Sequence, residues 1–113
     1  MSTAADFHTI NYLKNPVKLT KFVAVAGTAE PLVASATMAR AIYLQAKKVA
    51  ADNSANVFIG LSDLDAGLAE MFELTPGSTF EYRSEPGAKF DLAAIYIDAL
   101  TAADGVVGWY APS

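Results

Sequence analysis

His8 is the only histidine in the chain, and its side chain is the first place to look for acid–base chemistry near neutral pH. It falls in the opening segment Met1–Pro16, ahead of the Asn15-Pro16 break, where nothing in the sequence preorganises it. The chain has no cysteine. Cys-His and Ser-His-Asp arrangements are therefore excluded, and one histidine cannot build a closed transition-metal site. Neither G-x-x-x-x-G-K-[ST] nor G-x-G-x-x-G occurs, so no loop is shaped to cradle phosphates. Asp63-Leu64-Asp65 ahead of Gly67 starts like a calcium loop. An EF-hand would need a further ligand and a Glu at its twelfth position, where Leu74 stands, and a polar loop explains the segment better. Glu81, Glu85 and Asp91 are carboxylates of the kind glycosidases pair, yet nothing in their spacing fixes a separation. The sequence assigns no catalytic, cofactor-binding or metal-ligating residue. It reads as a protein that is not an enzyme.

Binding chemistry is better represented. Tyr43, Phe58, Phe80, Tyr82, Tyr96, Trp109 and Tyr110 all fall in segments with strand patterning, and some of them must be core. Tyr43 and Tyr96 sit opposite the better aliphatic faces of their segments. If those aliphatic faces are the core, the two tyrosines point outward, towards a subunit interface or a sugar-stacking platform. If both faces are buried, the tyrosines are simply packed. In the opening segment Phe7, Ile10 and Leu13 recur at a spacing of three, and Tyr12 lies beside them. Residues 1–16 read either as a frayed end or as an arm whose Phe7, Ile10, Tyr12 and Leu13 anchor on a neighbouring subunit.

The elements that position these residues follow from turn residues and alternation. Val17–Val25 gives a first strand, broken at Gly27–Pro31, and Leu32–Ser35 a short second one. Ala39–Lys48 alternates, with Ile42, Leu44 and Ala46 on one face. By propensity residues 36–52 suit a helix; Ile42-Tyr43 and the alternation favour strand. Asn56–Leu61 alternates again, so it pairs with its predecessor as a hairpin around Asp52-Asn53-Ser54. Leu68–Leu74 is a further strand, with the alternative of a helical turn within Ser62–Phe72. Ser78–Arg83 carries Phe80 and Tyr82 on one face, and Asp91–Ala99 reads as one strand. Asp104-Gly105 signals a hairpin into Val106–Ala111. Thr75-Pro76-Gly77 and Glu85-Pro86-Gly87 have type II turn chemistry. The expected architecture is all-β: a seven- or eight-stranded antiparallel β-sandwich, jelly-roll-like, over residues 17–113 with the N-terminal arm at 1–16.

Composition fits one such domain. The chain has 113 residues, 53% of them apolar and 18% charged, against about 25% charged in a typical domain. So little charge implies a large core or a surface covered by another subunit. The net charge of −4 argues against a nucleic-acid binder. No segment reaches the roughly 20 apolar residues of a membrane span. No address label is visible, and the expectation is a soluble protein.

The order Ala41-Ile-Tyr-Leu-Gln-Ala, Asn56-Val-Phe-Ile-Gly, Leu74-Thr-Pro-Gly-Ser, Leu92-Ala-Ala-Ile-Tyr-Ile and Gly105-Val-Val-Gly-Trp-Tyr resembles small virion structural proteins of tailed bacteriophages. The resemblance spans most of the chain but departs from the pattern at Ala50–Ala55 and in the arm. It implies a capsid decoration, neck or fibre-base component, made in the host cytoplasm and resident in the virion. Its partners would be further copies of itself and a capsid or tail protein. A carbohydrate- or receptor-binding sandwich is the alternative.

Overall fold

The computed structural model describes residues 16–47, 53–64 and 72–113. Its organising strand is β3 (Met38–Gln45), where Ile42 and Leu44 are fully buried while Tyr43 and Gln45 stay half-buried on the other face. That period of two is what a pleated backbone does to alternating apolar and polar residues. The helical alternative for this segment is not realised over residues 38–45.

β3 belongs to a sheet in the order β1-β9-β3-β6, with β1 at Val17–Phe22, β6 at Thr79–Arg83 and β9 at Gly105–Pro112. The two-residue β7 (Phe90–Asp91) extends it along the Met38–Ala39 end of β3. The second sheet runs β2-β8-β4-β5, from Glu30–Pro31, Tyr96–Ala99, Val57–Gly60 and Phe72–Leu74 respectively. Every pairing is antiparallel. The core lies between the sheets. Leu19, Ile42, Leu44 and Val106 come from the first; Val57, Ile59, Leu74 and Ile97 from the second. Each such side chain contributes roughly 1.5–3 kcal/mol by leaving water.

The pairs share one logic: β1 meets β9, β2 meets β8, β3 meets β6 and β7, and β4 meets β5. The first half of the chain pairs with the second in reverse order, as one long hairpin. Rolling it up adds the contacts of β9 with β3 and β8 with β4.

The all-β, two-sheet architecture matches the sequence reading; several local expectations do not. β3 and β4 are not a hairpin, because they lie in different sheets. Nor is there a hairpin at Asp104-Gly105, since β8 and β9 also lie in different sheets. Ala103 there takes a positive φ of 73°, and the buried Asp104 carboxylate accepts from the Ser54 and Ala55 N–H groups at 2.9 Å each. Alternation encodes which face is buried; it does not encode the partner strand. Leu32–Ser35 is a run of bends, and the short strand precedes it at Glu30–Pro31. Asp91–Ala99 is not one strand either. Asp91 Oδ1 accepts from Ala93 N–H at 2.9 Å, capping a single 3-10 turn at Leu92–Ala94 that carries the chain from one sheet to the other. With β2 and β7 counted, the described residues form nine strands, where seven or eight were expected.

The two Pro-Gly turns do form as expected, Gly77 and Gly87 taking φ of +86° and +84°. Ser78 N–H donates to Thr75 O at 3.0 Å and Ala88 N–H to Glu85 O at 2.9 Å. The opening arm through residue 15, the stretch Leu68–Met71 of the expected fifth strand, and Asp65 and Gly67 lie outside the described residues.

Candidate functional site

The Thr75–Ser78 turn joins β5, an edge strand of one sheet, to β6, an edge strand of the other. Near the turn the sheets stay closed, and Leu74, opposite Val57, is buried. Further along they part. Phe72 faces Ile59 across the β5–β4 pair, while Phe80 and Tyr82 are registered with Leu44 and Ile42 on the inner face of the other sheet. The core therefore does not end at the edge strands but opens between them.

The opening is a groove of about 300 Å³ walled by Ile59, Leu61, Phe72, Phe80, Tyr82 and Phe90. Ala94, the last residue of the 3-10 turn, and Ile95 after it also line the groove. The rings pair at an angle: Phe72 and Phe80 are tilted by 58° with centroids 4.8 Å apart, and Tyr82 meets Phe90 edge to face at 4.9 Å. Such tilted pairs are favourable beyond their buried area. Leu61, Phe72 and Tyr82 nonetheless remain 51%, 45% and 49% exposed. Three large apolar side chains around one apolar groove form a patch, and patches of this kind mark binding surfaces.

Among the described residues, one charged group, Asp91, lines the groove. Asp91 Oδ1 accepts from both Thr37 N–H and Ala93 N–H at 2.9 Å. The Thr37 hydrogen bond first, then the Ala93 one, hold this carboxyl below the ordinary aspartate range, so it stays anionic.

The interface residues read from the sequence fare differently. Tyr43 is half-buried on the outer face of the first sheet and stacks on Trp109, with ring centroids 6.0 Å apart and planes 10° from parallel. Across that face the registers give a row Lys18, Trp109, Tyr43, Glu81. Tyr96 lies in the second sheet, registered with Pro31 and Gly60. It is also half-buried, and it does not join Tyr43 in one surface. Phe7, Ile10, Tyr12 and Leu13 lie outside the described residues.

The groove was not foreseen. Phe80 and Tyr82 were visible as a shared face, but Phe72, Phe90 and Leu61 join them only because β5 and β6 are edges of opposed sheets. Among the described residues no three His, Cys, Asp or Glu side chains come together as a metal site. Comparison of the chain with protein-family models, with curated proteins and with solved structures finds no match.

Proposed function

We propose that this chain is a non-enzymatic structural component of a virus particle, a capsid decoration or head–tail assembly protein that works through protein–protein interfaces. The fold we assign to it is a jelly roll. The rolled-hairpin pairing, β1/β9 through β4/β5, supports that assignment, and jelly rolls are recurrent in viral capsid and lectin domains. The observation that carries the functional reading is the open edge groove with exposed Leu61, Phe72 and Tyr82. An apolar surface of this kind is stabilised when a partner removes it from water.

The test is co-sedimentation. Labelled chain is mixed with separated heads and tails of particles assembled without it. Saturable pelleting with one of the two, weakened by Tyr82→Asp, is the expected result. A chain that stays in the supernatant with both overturns the reading.

One observation favours a second reading, a carbohydrate-binding module. The stacked Tyr43–Trp109 pair has Lys18 and Glu81 in its own row and Gln45 beside it on the same face. Sugars stack on such rings while charged neighbours hold their hydroxyls. Trp109 is the only tryptophan, so its fluorescence reports the site directly. Saturable quenching by a glycan, lost in Tyr43→Ala, would move the assignment there.

A further inference from the structure

The groove and the start of β1 lie at opposite edges of the first sheet. β6 forms one edge of that sheet and β1 the other. Val17, at the start of β1, shares a row of the inner face with Tyr110, Ile42 and Tyr82. The direct path from Val17 to the groove is thus filled by core side chains. Residues 1–15 precede this edge, and they carry Phe7, Ile10, Tyr12 and Leu13 against only two charged side chains, Asp6 and Lys14. Val17 lies ten positions after Phe7, a reach of up to about 33 Å that carries Phe7 well beyond the β1 edge. A donor at one edge and an acceptor at the other is the arrangement of a head-to-tail contact, which closes into a ring when the rotation allows.

We propose that the β5–β6 groove receives the N-terminal segment of a second copy of this chain, with Phe7 as the anchor and Ile10 beside it. The proposal deepens the assembly reading above by naming its first partner. Size supports it: a cavity of about 150 Å³ holds a benzene ring, and this groove of about 300 Å³ accommodates one aromatic and one aliphatic side chain. The groove wall adds selectivity, since its rings already lie tilted against one another and offer tilted contacts to a further ring.

The experiment uses the purified full chain and two variants. One lacks residues 1–14; the other is Ala94→Trp, which obstructs the groove from an exposed position on its lining. By light scattering the full chain forms a concentration-dependent oligomer, while each variant alone is monomeric with a nearly unchanged melting temperature. Mixed together, the variants form a heterodimer that grows no further, because one offers only a groove and the other only an arm. Phe7→Ala weakens the self-association about thirtyfold, the equivalent of about 2 kcal/mol for an aromatic anchor. Phe72→Glu, at a half-exposed wall residue, replaces Ala94→Trp if the latter misfolds. A full chain that is monomeric throughout overturns the proposal, as does an oligomer that survives both variants. So does a truncated chain that melts early and forms no heterodimer, which places the segment in its own chain's fold. These measurements involve no heads or tails, so their failure and that of the co-sedimentation test are separate results.

Discussion

At the scale of single residues, two buried polar side chains take over work that strands do elsewhere. Asn53 donates from its amide to Gly105 O at 2.8 Å and accepts from Gly105 N–H at 3.0 Å, imitating a strand neighbour with a side chain. Asp104 holds the next two backbone N–H groups, of Ser54 and Ala55. Together they fasten the start of the β4 approach to the start of β9. Asn53→Ala leaves both Gly105 groups without these partners in the interior, a cost of about 2–3 kcal/mol. The expected measurement is a urea midpoint lowered by roughly 1 M or more at unchanged slope. A midpoint within error of the parent would mean that the clamp does not contribute. Glu30 and Asp91 make the stability depend on pH in the acid range. Glu30 accepts from Ala24 N–H at 2.9 Å and pairs with Lys21 Nζ at 3.1 Å, and these lower its pKa in that order. Asp91 is lowered by Thr37 and Ala93. A carboxyl whose folded pKa lies below its unfolded value stabilises the fold above the ordinary carboxylate range, near pH 4. That stability is lost as pH falls through the folded values. Melting temperature should therefore fall from about pH 4.5 downward, and Asp91→Asn should flatten part of that slope. An identical slope in the variant would exclude Asp91 as a contributor.

At the scale of elements, β9 is held on both sides with no space to spare. A Cβ built on Gly108 would collide with the backbone carbonyl of Tyr43 in β3. Gly87, in its exposed turn with φ of +84°, has nothing within 4 Å of such a Cβ. Gly108→Ala must push β9 from β3 and should cost about 3 kcal/mol or more. Gly87→Ala meets only the backbone penalty of the left-handed region, about 1 kcal/mol. Thermal melts of the two variants should differ accordingly; equal shifts would contradict the close approach. The same elements show what was legible beforehand. The strand at Met38–Gln45 and its inward Ile42 and Leu44 follow from alternation, and the two Pro-Gly turns from the φ demands of their positions. Which sheet each strand enters was not legible. That depends on long-range choices such as the Asp91 cap and the Asn53–Gly105 clamp, and short polar residues give the same local signal in any turn. The groove was hidden for the same reason, because Phe72 and Tyr82 meet only through the pairing order. Of the expected interface tyrosines, Tyr43 acquired a neighbour in Trp109 that alternation could place on its strand but not beside it.

At the scale of the whole molecule, pairing the first strand with the last makes the contacts non-local. Folding of such topologies is slow, in the range of milliseconds to seconds. Stopped-flow refolding followed by Trp109, which sits in β9, should give that timescale; microsecond refolding would be incompatible with the topology. The edges of the first sheet carry charge. Lys18 and Lys21 punctuate β1, and Glu81 and Arg83 alternate with the groove aromatics on β6. Charged edge strands resist indiscriminate strand addition. The position of β9 has one more consequence. It is the middle partner of both β1 and β3, yet it is the last of the described strands to be synthesised. Until residues 105–112 emerge, the nascent chain holds β1 with no described partner and β3 with one face of its ladder empty. Strand-by-strand completion of the first sheet during synthesis is thus closed to this chain, and its apolar strands stay incompletely paired until β9 is available.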